Sequence, residues 1–356
     1  MQGPSRRLSE PSGSVNPHEG GTVRVTVVGA GSWGTTIAAL AARHAAVTLW
    51  ARRPELAAAI SERHENADYL PGVALPEGLR CTADLEAAVQ GAEVVVMGVP
   101  SHGFRGVLTQ AAPSIRPGVP VLSLTKGIER DSLQRMTEVV IEVLDAPPHR
   151  VGVLTGPNLA QEVIAGQPTA TVVAVEDPWE AERLQRLFMS PTLRVYTNPD
   201  VVGCESAGAV KNVMAIAAGM ASGLGYGDNS MAATVTRALA ELTRLGVAMG
   251  GNPSTFAGLA GMGDLVATCI SAKSRNRTVG HALGTGRSLD EIVADMNMVA
   301  EGVKTTGAVL ALADRHGVDM PIATMVGAVL YEGRSPADVV EALMTRQARS
   351  EVEPLG

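Results

Sequence analysis

Apolar residues follow two different patterns in the two halves of the chain. In the first half, short apolar runs alternate with helical patterns such as Trp33–His44. The predicted strands are Val23–Gly29, Val47–Trp50, Glu93–Val99, Val119–Thr125, Val151–Thr155 and Thr169–Glu176. Because these runs are apolar throughout and alternate with helices, they predict a doubly wound parallel sheet that is covered on both faces.

From about Asp200 onward the pattern is helical, with Gly and Pro between the segments. The predicted helices are Gly203–Ser222, Met231–Met249, Ser288–Met296, Gly302–His316, Ile322–Tyr331 and Pro336–Thr345. The chain is therefore expected to hold an α/β domain at 22–199, an all-helical domain at 200–348 and a tail at 349–356. Residues 1–21 are rich in Pro, Gly, Ser and charge and lack the apolar core of a signal peptide, which predicts a disordered leader.

A GxGxxG motif directly follows the first predicted strand and opens a helix. Gly29 permits a tight turn, Gly31 lets a pyrophosphate approach the backbone, and Gly34 lets helix and strand pack closely. The N–H groups near Ser32 and Trp33 would face the phosphates. An incidental glycine-rich turn is the alternative, but strand, loop, helix and second strand are all in register. The motif therefore predicts a Rossmann-type dinucleotide-binding domain.

Arg52 and Arg53 directly follow the second predicted strand, where NAD-specific sites usually carry an acidic residue. Two guanidinium groups suit a 2′-phosphate, which favours NADP(H) with NAD(H) as a second cofactor. The alternative is that both arginines are solvated loop charges.

Lys211 lies in the middle of an apolar, small-residue helix, beside Asn212. Burial lowers the pKa of a lysine and makes it a usable general base near neutral pH. The alternative is a lysine whose ammonium reaches water along a buried helix. Asn212 is a second polar residue in this apolar segment, which favours the interpretation of Lys211 as a catalytic residue.

Four further segments carry polar groups that could belong to a site. Lys126 follows one predicted strand, and Gly156 and Asn158 follow the next, at the edge where parallel sheets bind ligands. Asp264 follows a glycine-rich turn and either belongs to a site or caps a helix. A run at 273–277 predicts an anion site, and the alternative is a solvated basic loop. Its candidate ligands are Ser274, Arg275 and Asn276. For Lys126 the alternative is a lysine on a surface turn.

Charge and cysteine usage narrow the function further. The net charge is −7, from 36 acidic and 29 basic residues, which disfavours non-specific binding to nucleic acid. The three cysteines are far apart, which argues against a disulfide framework or a zinc cluster and fits a reducing cytoplasm. No apolar run reaches the roughly 18 residues of a membrane span; the nearest is Val213–Tyr226.

The sequence motifs and their order along the chain resemble those of the bacterial NAD(P)-dependent glycerol-3-phosphate dehydrogenases. The resemblance covers about Val23 to Thr345. It rests on GAGSWG at 29–34, LTKGIE at 124–129, GPNLAQE at 156–162, GAVKNVMAIAAG at 208–219, GLAGMGDLVATC at 258–269, SRNRTVG at 274–280 and VAEG at 299–302. One departure is Asn158-Leu159, where many members have Ser or Thr followed by Phe.

The resemblance implies interconversion of dihydroxyacetone phosphate and sn-glycerol 3-phosphate, which feeds phospholipid synthesis, by a cytoplasmic homodimer without a metal. It implies Lys211 as the proton acceptor. It implies cofactor contacts from Ser32, Trp33, Arg52, Arg53, Lys126, Ala160, Arg275, Val299 and Glu301. It implies substrate contacts from Lys126, Gly156, Asn158, Lys211, Asp264, Ser274, Arg275 and Asn276.

Two other functions stay open at this point. One is a 3-hydroxyacid or 6-phosphogluconate type dehydrogenase, whose substrate would carry a carboxylate. The other is a non-catalytic NADP(H)-sensing protein, which would not need Lys211, Asp264 and Arg275 together.

Overall fold

The computed structural model describes residues 22–296, 300–348 and 350–351. Its first part is one eight-stranded sheet in the order β3-β2-β1-β4-β5-β6-β7-β8. The strands are β1 Arg24–Val28, β2 Ala46–Trp50, β3 Arg80–Thr82, β4 Val94–Met97, β5 Val121–Ser123, β6 Val151–Thr155, β7 Thr169–Ala174 and β8 Leu193–Asn198. The inner strands are buried on both faces, as their apolar runs predict.

Helices cover this sheet on both sides. They are α1 Ser32–Ala41, α2 Pro54–Arg63, α3 Leu85–Val89, α4 Ser101–Ala111, α5 Met136–Leu144, α6 Ala160–Ile164 and α7 Pro178–Phe188. The strand order reverses between β1 and β4, so a crevice opens there at the carboxyl ends of the strands. This crevice borders the glycine-rich loop.

The predicted fold class is confirmed, and the strand pattern differs in two respects. The sheet is not wholly parallel, because β6 and β7 pair antiparallel, with Val153 opposite Ala174. Two strands, β3 and β8, were not predicted. β3 is short and lies at one edge of the sheet, and β8 lies at the other edge and exposes alternate residues such as Arg194 and Tyr196, so neither forms a continuous apolar run.

The second part of the chain is helical and centres on one long helix. The helices are α8 Val201–Gly223, α9 Asp228–Ala248, α10 Pro253–Phe256, α11 Asp264–Ile270, α12 Arg275–Gly284, α13 Leu289–Ala294, α14 Glu301–Arg315, α15 Pro321–Glu332 and α16 Pro336–Met344. A π-helical turn at Leu259–Gly263 leads into α11. Asp200 starts α8 by accepting a hydrogen bond from the Gly203 N–H at 2.8 Å.

Helix α8 is 23 residues long, and its length and composition would also suit a membrane span. This differs from the sequence expectation, which placed the nearest apolar run at Val213–Tyr226. Within the fold, 89% of the span-length window of α8 is buried against the surrounding helices, as in the core helix of a folded domain.

Close contact between α8 and α12 is built on glycine. A Cβ on Gly280 would overlap the carbonyl oxygen of Ile216, and one on Gly219 would overlap that of Arg277. Any larger residue at either position would push the two helices apart. The glycines therefore hold the start of α12 beside the middle of α8, where Lys211 lies.

Candidate active site

The glycine-rich loop has the geometry of a phosphate-binding turn. Gly29 has φ +120°, and a Cβ there would lie 2.6 Å from the carbonyl oxygen of Gly98. A Cβ on Gly34 would overlap the carbonyl oxygen of Gly29, whereas one on Gly31 would meet no atom within 4 Å. The first and third glycines thus serve packing, and the second leaves the loop open to a ligand.

Helix α1 begins beside this loop with donors available for an anion. Gly31 precedes the helix and provides no side-chain cap, so the first N–H groups of the helix lack a capping side chain. The Trp33 Nε1 donor is buried and has no partner among the described residues. These features fit the pyrophosphate of a dinucleotide.

The end of β2 carries the two arginines that follow Trp50. Arg53 forms an ion pair with Asp68 and lies 3.7 Å from Glu55, measured from its Nε. Arg52 is exposed and forms no hydrogen bond or ion pair with any residue that the structure describes. The Arg53 guanidinium therefore lies near acidic side chains that the local sequence pattern did not indicate.

Lys211 and Lys126 share one carboxylate at the centre of the site. Lys211 Nζ donates to Asp264 Oδ1 at 2.5 Å and to Thr268 Oγ1 at 2.7 Å. Lys126 Nζ donates to Asp264 Oδ2 at 2.7 Å and to the Gly156 carbonyl oxygen at 2.8 Å. Asp264 thus joins a helix of the second part of the chain to the sheet edge of the first.

Burial sets the electrostatics of this cluster. The Lys211 residue is 5% exposed and Asp264 is 1% exposed. Burial lowers the pKa of the Lys211 ammonium to about 8; the Asp264 carboxylate opposes the shift, and the Lys126 charge adds to it. Lys211 does not reach water along its helix, and the Asp264 carboxylate pairs with two lysines rather than capping α11.

A chain of amide hydrogen bonds supports the cluster. The Gly302 N–H donates to Asn276 Oδ1 at 2.9 Å, and Asn276 Nδ2 donates to Asn212 Oδ1 at 2.9 Å. Asn212 Nδ2 then donates to the Lys126 carbonyl oxygen at 3.0 Å. The chain connects the starts of α14 and α12 to the lysine helix and to the loop after β5.

The remaining residues of the 273–277 run divide between buried and exposed positions. Ser274 is buried and caps α12 by accepting from the Arg277 N–H at 3.3 Å. The Arg275 side chain is exposed at the start of the same helix. Lys273 pairs with Glu162 at 2.9 Å. The run is therefore only partly a solvated basic loop.

Asn158 is oriented by its neighbours on β7. Its Nδ2 donates to Thr171 Oγ1 at 3.0 Å, and Thr171 Oγ1 donates to the Thr155 carbonyl oxygen at 2.8 Å. The Asn158 Oδ1 and Thr155 Oγ1 atoms are buried without a partner in the described structure. Because buried polar atoms seldom lack a partner, these two oxygens near the end of β6 are candidates to accept hydrogen bonds from a ligand.

Two further predicted cofactor residues lie at helix starts. Ala160 begins α6, and Glu301 begins α14 and accepts a hydrogen bond from Ser101 Oγ at 2.8 Å. Val299 lies outside the described residues. Within the part of the chain that is described, no group of three or more His, Cys, Asp or Glu side chains is arranged to hold a metal ion.

The structure therefore brings Lys126, Gly156, Lys211, Asp264 and Asn276 into one hydrogen-bonded network, while the two arginines after β2 lie in a separate group. Sequence reasoning missed several residues, although Thr268, one turn after Asp264 in α11, could have been found from its helical spacing. The other missed residues carry no local signal; they are Asn66, Asp68, Ser101 and Thr171.

An open phosphate loop beside a Rossmann-type sheet, together with a buried lysine from a helical region, defines the class of nicotinamide-dependent dehydrogenases. Residues 24–181 match the family described as NAD-dependent glycerol-3-phosphate dehydrogenase N-terminus, and residues 200–341 match the corresponding C-terminus. The chain belongs to this family.

Individual relatives agree with the family match. The chain is 55% identical over 332 residues to glycerol-3-phosphate dehydrogenase [NAD(P)+] 2 of Sphingopyxis alaskensis, covering 93% of this chain and 99% of the relative. It is 50% identical over 330 residues to the Thermobifida fusca enzyme, covering 92% and 98%. A crystal structure of glycerol-3-phosphate dehydrogenase from Coxiella burnetii superposes with a TM-score of 0.87 at 37% identity, covering 91% of this chain and 99% of that one.

Proposed function

We propose that this protein interconverts dihydroxyacetone phosphate and sn-glycerol 3-phosphate with NAD(P)(H), and that Lys211 is its general acid and base. The observation that carries the proposal is the buried Lys211–Asp264 pair, placed beside Lys126 at the ligand edge of the sheet. Family membership disfavours a carboxylate substrate of the 3-hydroxyacid or 6-phosphogluconate type. It equally disfavours a non-catalytic NADP(H) sensor.

The cofactor would lie along the carboxyl edge of the sheet. Gly29, Gly31 and Gly34 shape its pyrophosphate site, and the N–H groups of Ser32 and Trp33 hold the phosphates. Further cofactor contacts come from Lys126, Ala160, Arg275, Val299 and Glu301. When bound in its reduced form, the nicotinamide supplies the hydride for reduction of the ketone.

We assign the cofactor preference to Arg52 and Arg53. Guanidinium groups bind phosphate in a fork geometry, and no acidic residue follows Trp50 to bind a ribose 2′-OH. NADP(H) is therefore the preferred cofactor and NAD(H) a second one.

The substrate's phosphate would bind at the start of α12. Arg275 supplies positive charge there, and Ser274 and Asn276 supply polar groups beside it. Asn276 uses its Oδ1 and one Nδ2 proton within the fold, which leaves a second Nδ2 proton for a ligand. Binding the phosphate away from the reacting carbon provides orientation without changing the chemistry.

The reacting end of the substrate would lie near Lys126, Lys211 and the end of β6. Lys126 and Gly156 line this end, and the free Asn158 Oδ1 accepts a hydrogen bond from a substrate hydroxyl. Asp264 orients the Lys211 ammonium and partly offsets the positive charge that Lys211 and Lys126 bring to the site.

Proton transfer then follows from the state of Lys211. During reduction its ammonium donates a proton to the ketone oxygen as that oxygen gains negative charge. During oxidation the neutral amine accepts the proton of the substrate hydroxyl. Because the pKa of Lys211 is lowered to about 8, both forms are accessible near neutral pH.

The proposed reaction also bears on the location, the assembly and the metabolic role of the protein. We infer a cytoplasmic homodimer that supplies glycerol phosphate for phospholipid synthesis. We also infer a division between a nucleotide-binding domain at 22–199 and a substrate domain at 200–348, which agrees with the family matches at 24–181 and 200–341.

Steady-state kinetics with dihydroxyacetone phosphate and each reduced cofactor test the function. Turnover with both NADPH and NADH, and none with 3-hydroxyacids or 6-phosphogluconate in the oxidative direction, is the expected result. Cofactor binding without turnover would refute the proposal and favour a sensing protein.

A further inference from the structure

The segment after α2 places an acidic side chain beside Arg53, which follows β2. Asn66 is fully buried, and its Nδ2 donates to the Ala30 carbonyl oxygen at 3.0 Å and to Thr35 Oγ1 at 2.8 Å. Asp68 follows two residues later. Because Asn66 is bonded to the glycine-rich loop, Asp68 is held in a defined position relative to that loop.

Asp68 pairs with Arg53 from this position. Glu55 lies farther from the same guanidinium, at 3.7 Å from its Nε, and Arg52 has no partner among the residues that the structure describes. Two carboxylates thus lie beside the Arg53 guanidinium just after β2, so its positive charge is offset locally. Sequence reasoning found only the positive half of this group.

A carboxylate and a phosphate compete for the same face of a guanidinium group. Both accept paired hydrogen bonds from its fork of N–H donors, and two anions close together repel each other. A 2′-phosphate that binds Arg53 would therefore compete with Asp68 for the Nη2 donors and be repelled by the carboxylate. A cofactor with a ribose 2′-hydroxyl leaves the ion pair intact.

We propose that Asp68 is a cofactor-specificity residue whose carboxylate competes with the 2′-phosphate for Arg53 and so limits the preference for NADP(H) over NAD(H). The inference rests on the proposed binding of the 2′-phosphate by Arg53. It accounts for the use of both cofactors by a site that has two arginines and no acid at the strand end.

The test is equilibrium binding of NADP+ and NAD+ by titration calorimetry, which needs no turnover. Asp68→Asn should tighten NADP+ binding about two- to fivefold, the size expected for an exposed ion pair, and leave NAD+ binding unchanged. Glu55→Gln is the matched control and should change NADP+ binding less, because Glu55 lies farther from the guanidinium. In an Arg53→Ala background, Asp68→Asn should have no effect.

Three results would overturn the inference. Weaker NADP+ binding in Asp68→Asn would mean that Asp68 orients Arg53 for the phosphate. An equal gain in NADP+ affinity in the Arg53→Ala background would mean that Asp68 acts only through its overall charge. Unchanged NADP+ binding in Asp68→Asn would mean that the carboxylate does not compete with the 2′-phosphate. Asp68→Ala repeats the test should the Asn variant not fold. If Arg53→Ala alone weakens both cofactors equally, the 2′-phosphate assignment itself fails, whatever Asp68 does.

Discussion

Replacing Lys211 by Met separates a catalytic lysine from a structural one. The fall in the pKa of Lys211 from 10.5 to about 8 means that the fold disfavours the ammonium by ~3 kcal/mol. Met has a similar stem volume and no charge, so it removes this cost. Asp264 keeps Lys126 as a partner at 2.7 Å, so its carboxylate is not left alone in the core. We therefore expect the variant to fold and to bind NADPH normally.

The lowered pKa of Lys211 also bears on the loss of activity expected in Lys211→Met. At pH 7 a group with a pKa near 8 is about one-tenth neutral, roughly 300-fold more than an unperturbed lysine. Removing the proton-transfer group should lower kcat at least about 100-fold in both directions, the low end for acid–base residues. That loss corresponds to about 2.7 kcal/mol of activation free energy.

The assay is the pH dependence of glycerol 3-phosphate oxidation. In the unaltered protein, kcat/KM should rise with pH through one ionisation near 8, because oxidation needs the neutral amine. Reduction of dihydroxyacetone phosphate needs the ammonium and should fall over the same range. Both ionisations should be absent in Lys211→Met, and near-normal turnover in that variant would refute the assignment.

The pH dependence of the free energy of unfolding is an independent test of the lowered pKa of Lys211. The unfolded chain keeps Lys211 protonated up to about pH 10.5, whereas the folded chain releases the proton near 8. Between these values the unfolded state binds more protons, so this residue makes the free energy of unfolding rise with pH. The rise should be missing in the Met variant, as measured by urea denaturation at several pH values.

Three further predictions concern the cofactor, the substrate phosphate and the helix packing. Changing Arg52 and Arg53 together to Ala should raise the KM for NADPH more than that for NADH, and equal changes in steady-state kinetics would contradict the 2′-phosphate assignment. Arg275→Ala should weaken binding of dihydroxyacetone phosphate by roughly 1.5–3 kcal/mol. Unchanged KM and kcat in this variant would mean that the Arg275 side chain is merely solvated. NADPH binding should be measured alongside, because Arg275 is also assigned a cofactor contact. Gly280→Ala should lower the free energy of unfolding by about 1–3 kcal/mol, because its Cβ would overlap the Ile216 carbonyl oxygen. Stabilisation in thermal melts, as helix propensity alone predicts, would contradict this packing.

The sequence predicted the elements whose signals are local. The glycine-rich loop, the strand before it and the helix after it were all recognised, with α1 at Ser32–Ala41 against a predicted Trp33–His44. Lys211 stood out because a charge within an apolar helix is costly. The edge strands were missed because their residues are only partly buried, and the antiparallel pairing of β6 with β7 was missed because strand direction depends on long-range pairing.

Most of the hydrogen bonds around the candidate site had no sequence signal. Asn66, Asp68 and Thr171 are ordinary polar residues in their local context, and the bonds that they make join segments that are distant in sequence or lie on different strands. The roles of these three residues depend on which of their atoms are buried and which of them lack a hydrogen-bond partner. Such facts arise only when separate segments pack together.

By itself, the sequence determined the fold class, the family and the residue types available for chemistry, because glycine turns, apolar runs and an isolated lysine act through local conformation and solvation. The tertiary structure decided how those residues are paired. It brought Asp264 between Lys126 and Lys211 and placed Asp68 against Arg53. Electrostatic interactions depend on distance and burial rather than on position along the chain, so only the folded protein sets the pKa of Lys211 and the charges that surround Arg53.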